Sequence, residues 1–147
     1  MSLADRWLDR ARNPEISRDA YDRFIYAYIA FNYLYEGIRL ENESERACVA
    51  RYAEKKCKEF NVNPFSVDVS EYKYPVGDMK NIGKSWAVRD SDITSLFNAI
   101  YQVRCNLFHG NKFIGDLRDE NLARQGAEVL IMLLSKILNR SVRQPKN

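Results

Sequence analysis

The sequence predicts an all-α protein, an up-down bundle of four to five helices with a long irregular insertion before the fourth helix. Five stretches show helical periodicity or helix-capping residues, and the one stretch of alternating apolar residues is brief. A chain of 147 residues also has the usual size of one domain that can bury its own core. The whole chain, residues 1–147, is therefore expected to form a single helical domain.

The first two helices are predicted from their breakers and caps. The first covers Leu3 to Arg12, because Asn13-Pro14 disfavours a helical residue before the proline. The second runs from about Ser17 to Ile38, with Ser17 or Asp19 as its N-cap. Apolar residues cover most of the second helix, which is typical of a helix at the centre of a domain or under a second subunit.

Three further helices follow. The third is predicted from about Glu43 to Phe60 with Asn42 as its cap, and the fourth from about Asp92 to Phe108. The fifth runs from about Arg118 to Asn139 with Asp116 as its cap. Its apolar run from Val129 exceeds one helix face, which favours a dimer contact.

Residues 61–90 lose the helical period and are broken by prolines and glycines. A short alternation of Phe65, Val67 and Val69 favours a hairpin or a short strand. Thirty residues is long for a simple connection, so this segment is expected to pack locally or to be functional.

Composition narrows the functional class. The formal charge of +3 neither requires nor excludes nucleic acid. Three cysteines without a C-x-x-C pair, in a chain with no secretory leader, are expected to be reduced thiols in a cytoplasmic protein. The longest apolar run, Val129 to Leu134, is far shorter than the ~20 residues that span a bilayer. No membrane span is expected.

The chain has one histidine, His109, which excludes zinc sites built from several histidines. Glycine-rich phosphate loops of common spacing and the G-x-S-x-G elbow do not occur either. We therefore expect neither a metal nor a cofactor.

Arg104 and His109 are the one set of residues whose types and spacing indicate a reactive site. At 100° per residue, Arg104 falls in the middle of an apolar face of the fourth helix. A buried charge there must pair with a carboxylate, reach the edge of the core, or line a partly wet cleft. His109 follows at the helix end, where the helix dipole supports a protonated imidazole. The plain alternative is that both cations only complement that dipole.

The motif Arg104-x4-His109, followed by Gly-Asn-Lys112, resembles the signature of the HEPN superfamily (higher eukaryotes and prokaryotes nucleotide-binding), an arginine and a histidine separated by four to six residues. The stretch Phe31-Asn-Tyr-Leu-Tyr35 looks like the family's first core helix, and the order of helices matches a HEPN-like bundle. Two positions depart from the family pattern. Ribonucleases of the family commonly have a polar residue where this chain has Cys105, and toxins silenced by tyrosine modification have tyrosine where it has Asn111.

The resemblance implies a metal-independent endoribonuclease in which Arg104 and His109 from two subunits form a composite RNA-cleaving site. The expected partners are RNA and a second copy of the chain, together with an antitoxin or a nucleotidyltransferase-type protein in a toxin or defence system. Asn106, Lys112 and Asn32 are candidate RNA contacts, and Asn32 could instead make a structural hydrogen bond. Aromatic residues of the insertion could stack on bases or form local core: Phe65, Tyr72, Tyr74 and Trp86.

Two other readings stay open. One is a non-catalytic HEPN module that binds nucleotide or RNA, or that serves as a dimeric interaction domain. The other is a helical adaptor in which Arg104 is sealed against a carboxylate such as Glu36 or Glu128.

Overall fold

The structure is a computed structural model that describes residues 1–109 and 116–139. Within these ranges the chain forms five α-helices and one two-stranded hairpin, which confirms the all-α expectation. The elements are α1 Leu3–Arg12, α2 Ala20–Glu36, α3 Glu45–Glu59, β1 Val76–Gly77, β2 Ser85–Trp86, α4 Ile93–Phe108 and α5 Leu117–Ile137.

Local capping explains where the helices begin. The predicted bounds of α1 are confirmed, and Asp116 accepts the Asp119 N–H at the start of α5 as expected. The predicted start of α3 was wrong by two residues, because the Ser44 hydroxyl, not Asn42, accepts the Ala47 N–H.

The core is built around α2, which packs along α1 and α5, while α3 packs along α4. Four large α2 side chains are 0–2 % exposed: Phe24, Tyr28, Phe31 and Tyr35. Phe31 makes edge-on contacts with Tyr52 of α3 and Tyr35, and a tilted contact with Phe97 of α4. The central position expected for an all-round apolar helix is confirmed.

The apolar run of α5 is mostly buried within this chain. Val129, Leu130, Leu133 and Leu134 are fully buried and belong to the same core as α2. The run therefore needs no dimer contact to explain it. None of the helices in residues 1–109 and 116–139 is both long and apolar enough to cross a membrane.

One glycine allows α5 to approach α2 closely. A Cβ built on Gly126 would lie 2.6 Å from the Tyr72 hydroxyl and 2.8 Å from a ring carbon of Phe24. The Tyr72 hydroxyl lies there because it donates to the Leu122 carbonyl at 2.7 Å. Only a residue without a side chain fits this contact.

The insertion packs locally. It contains two 3₁₀ turns, Pro64–Ser66 and Ser70–Lys73, followed by the antiparallel hairpin in which Val76 pairs with Trp86. The predicted hairpin or short strand exists, but not at the alternating residues Phe65 to Val69. The first of those residues, Phe65, instead belongs to the 3₁₀ turn that begins at Pro64, with Asn63 as its N-cap.

Candidate functional site

Arg104 lies half-buried on α4 with its guanidinium surrounded by aromatic rings. Its Cζ is 4.8 Å from the ring centroid of Phe108, and 5.8 Å from those of Tyr28 and Tyr101. These distances are within the range of cation–π attraction. The rings fix the position of the charge without neutralising it.

Within the described residues, Arg104 has no carboxylate partner. Its Nε is buried without a hydrogen-bond partner, and its Nη1 approaches the Cys105 Sγ only to 4.0 Å. Burial acts to lower the pKa of this guanidinium, but Cys105 and the charge of Glu45 raise it, and the net direction is upward. Arg104 therefore stays cationic and retains donors for an anion.

The two carboxylates named for the adaptor reading are engaged elsewhere. Glu128 pairs with Arg23, and Glu36 pairs with Arg39 at 3.2 Å. Arg104 therefore does not form, with either residue, the buried ion pair that the hypothesis of a helical adaptor requires.

A hydrogen-bond network holds the rings that face Arg104. Glu45, at the start of α3, accepts from the Tyr35 hydroxyl at 2.6 Å and from the Tyr101 hydroxyl at 3.2 Å. The hydroxyls of Tyr28 and Tyr35 are in turn 2.9 Å apart. The sequence analysis did not identify Glu45 as part of the site, because nothing local in the sequence indicates a partner on another helix.

His109 is the exposed C-cap of α4, and its backbone N–H donates to the Cys105 carbonyl at 3.1 Å. Residues five apart on an α-helix differ by about 140° in direction and about 7 Å along the axis. Arg104 and His109 therefore share one end of α4 but not one face of it.

The apolar face expected around Arg104 is buried in the middle of α4 and exposed at its C-terminal end. Phe97 and Ile100 are fully buried, whereas Phe108 is 49 % exposed. Arg104, which is half-buried, consequently lies at the edge of the core and not in its middle.

The Asn106 side chain is buried and is hydrogen-bonded within the protein through both its oxygen and its nitrogen. Its Oδ1 accepts from Gln102 at 2.9 Å and from the Met79 N–H at 3.3 Å, and its Nδ2 donates to the Gly77 carbonyl at 2.9 Å. It thus ties the hairpin to α4, and a direct contact with RNA would require these bonds to break.

The remaining candidates differ in what the structure shows. Asn32 is half-buried one turn beyond Tyr28, and no side-chain hydrogen bond joins it to another described residue. Lys112 lies outside the described residues. Of the insertion's aromatic residues, Tyr72 is fully buried, Tyr74 is 65 % exposed, and Trp86 is half-buried.

No group of three or more histidine, cysteine or acidic side chains in residues 1–109 and 116–139 could hold a metal ion. No protein-family model, curated protein sequence or solved structure matches the chain. The residues of the site themselves are therefore the basis for assigning a function.

Proposed function

We propose that this protein is a metal-independent endoribonuclease of HEPN type, in which Arg104 and His109 of two subunits form one RNA-cleaving site. The observation that supports this function is the half-buried guanidinium of Arg104, which forms no ion pair with a described residue and lies at the same helix end as the exposed His109. A fixed cation without a carboxylate partner is suited to bind a phosphodiester.

Each side chain has a chemical role in this reaction. One imidazole accepts the proton of the ribose 2′-hydroxyl as its oxygen attacks phosphorus, and a second imidazole donates a proton to the departing 5′-oxygen. The guanidinium of Arg104 stabilises the charge that develops on the phosphoryl oxygens. The bond from phosphorus to the 5′-oxygen breaks, which yields a 2′,3′-cyclic phosphate and a 5′-hydroxyl.

A second copy of the chain supplies the second imidazole. A two-fold axis near the end of α4 would bring two Arg104–His109 pairs together. An exposed aromatic side chain at this helix end is available for such a contact, since Phe108 is 49 % exposed. Phe108 also contacts Arg104, so burying it between subunits would draw the guanidinium into the shared site.

One observation favours a second candidate, a non-catalytic module that binds nucleotide or RNA or that docks a partner protein such as an antitoxin. The residue after Arg104 is Cys105, and its Sγ lies at the limit of a weak contact with the guanidinium. A thiol is a poor substitute for the hydroxyl or amide that would orient a phosphate-binding arginine.

The deciding experiment is RNA cleavage in EDTA, with single-stranded and structured RNA, by the wild type, Arg104→Ala and His109→Ala. We expect both substitutions to lower the cleavage rate by about 100-fold or more. The wild-type products should carry a 2′,3′-cyclic phosphate. Arg6→Ala, which changes an exposed arginine of α1, is the matched control and should retain full activity.

Folding must be intact for this test, so circular dichroism and sedimentation of each variant should match the wild type. If the wild type does not cleave RNA, or if cleavage persists in both substituted proteins, the ribonuclease is excluded. RNA or nucleotide binding without cleavage would then support the non-catalytic module.

A further inference from the structure

An open groove with a volume of about 720 Å³ runs between α3 and the first half of α4. Its charged lining consists of four cationic side chains and one carboxylate: Arg46, Arg51, Lys55, Lys58 and Glu54. The net positive charge per residue is thus far higher in the groove lining than in the whole chain, whose formal charge is only +3.

Two of the four cations are neutralised locally. Arg51 binds Glu43 through two nitrogens at 2.8 Å, and this contact lowers the pKa of Glu43 to about 2. Lys58 binds Glu54 at 3.0 Å. Arg46 and Lys55 have no carboxylate partner among the described residues, so the charge that remains in the groove belongs to them.

Arg46 is held in place by neutral groups. Its guanidinium lies 3.8 Å from the ring centroid of Trp86 and donates to the Asn98 carbonyl at 2.8 Å and to the Gln102 Oε1 at 2.5 Å. These bonds engage two of its N–H groups, and the others donate to no described residue. A preorganised guanidinium without a counter-ion is the arrangement used for phosphate binding.

The groove leads to the Arg104 site along a single face of α4. Partly exposed residues recur at helical spacing from the groove to the helix end: Thr94, Asn98, Tyr101, Cys105 and Phe108. Arg46 lies 4.9 Å from the ring centroid of Tyr101, and Arg104 lies 5.8 Å from the same centroid. Both guanidiniums therefore contact the same aromatic ring.

A second, smaller cavity of 310 Å³ adjoins the groove through Asn98 and is lined by Trp86 and Arg89. Aromatic rings and arginine planes are the surfaces on which unpaired bases stack. Positive charge beside an aromatic cavity favours single-stranded RNA over an acidic peptide, which has no bases to place there.

We propose that this groove binds the sugar-phosphate backbone of single-stranded RNA and guides it to Arg104 and His109. The inference rests on the proposed function in that the bound strand is the substrate. Arg46 and Lys55 contact successive phosphates, and the cavity at Trp86 receives a base.

The test measures binding apart from cleavage, with His109→Ala protein and a labelled single-stranded oligoribonucleotide over a range of salt concentrations. We expect Lys55→Ala and Arg46→Gln each to weaken binding. Each should also reduce the slope of log K against log salt by about one, which corresponds to one lost phosphate contact. Arg6→Ala on α1 removes one positive charge away from the groove and should leave the slope unchanged.

Lys55 is exposed, so its removal does not threaten the fold even if the Arg46 variant is unstable. An unchanged affinity and slope in Lys55→Ala would overturn the proposal, as would binding of a polyglutamate peptide in the absence of RNA binding. Groove-dependent binding without cleavage by the wild type would retain the groove and remove the ribonuclease. Cleavage by the wild type, together with no effect of Lys55→Ala on RNA binding, would retain the ribonuclease and exclude the groove as its RNA-binding surface.

Discussion

Arg104 and Asn106 lie two residues apart on α4, yet their polar atoms have opposite surroundings. Asn106 has a hydrogen-bond partner for both ends of its carboxamide, whereas the buried Arg104 Nε has none among the described residues. An unsatisfied buried donor costs free energy of folding, and such costs are typical of binding and catalytic positions. At the scale of single residues, the hydrogen bonds of Asn106 stabilise the fold, and Arg104 is the position for which we propose a function.

We expect Asn106→Ala to reduce the free energy of unfolding by about 1–3 kcal/mol. The substitution leaves the Gly77 carbonyl and the Met79 N–H without their partner. Urea denaturation monitored by circular dichroism measures the change. Asn98→Ala is the matched control on the same helix, because the Asn98 side chain makes no hydrogen bond to a described residue, and it should change stability by less than about 0.5 kcal/mol. Equal stabilities of the two variants would contradict this role of Asn106.

The site was only partly predictable from single residues. Arg104 and His109 stand out because of their types and spacing, and Asn106 stands out as a polar residue near them. The roles of Asn106 and Glu45 depend on Gly77, Met79 and Tyr101, which are distant in sequence, and no local pattern indicates those contacts.

At the scale of elements, the helices were predictable because their signals are local. Caps such as Asp116 act within three residues, and apolar periodicity acts within a few turns. The insertion was not predictable in detail, because its conformation is set by distant bonds such as that from Tyr72 to Leu122. The alternation at Phe65 to Val69 was misleading for the same reason, since these residues pack against the core without forming a strand.

The contact between α2, α5 and the insertion depends on the absence of a side chain at Gly126. We expect Gly126→Ala to lower the free energy of unfolding by about 1–3 kcal/mol, because the added methyl group would displace Phe24 and the Tyr72 hydroxyl. Differential scanning calorimetry should show a lower Tm.

The control for this prediction is Gly37→Ala at the end of α2. The added Cβ there would lie 3.5 Å from the nearest atom, and the backbone is already right-handed helical. Gly37→Ala should therefore be neutral or stabilising by about 0.4–1 kcal/mol. A Tm for Gly126→Ala at or above that of the wild type would contradict the close packing.

At the scale of the whole molecule, the proposed reaction needs two chains. Helix geometry separates Arg104 from His109 within one chain, and a single imidazole cannot perform both proton transfers at once. A dimer that joins the ends of two α4 helices would also cover the exposed Phe108.

This arrangement predicts how mixtures of subunits behave. When wild-type and His109→Ala chains are coexpressed at different ratios, activity should fall with the square of the wild-type fraction, because only dimers with two imidazoles are active. Coexpression with Arg6→Ala chains should cause no loss. A linear decline with the wild-type fraction would show that each chain acts alone.

The hydrogen bonds of Asn106 have a consequence for the ancestry and the engineering of this protein. These bonds join the hairpin to α4, so the insertion and the helix that carries Arg104 and His109 form one structural unit. A recombination event or a grafting design that transfers the helix alone would leave the buried Nδ2 of Asn106 without its acceptor, the Gly77 carbonyl. The two segments should therefore be inherited together, or lost together, whenever this bundle diversifies.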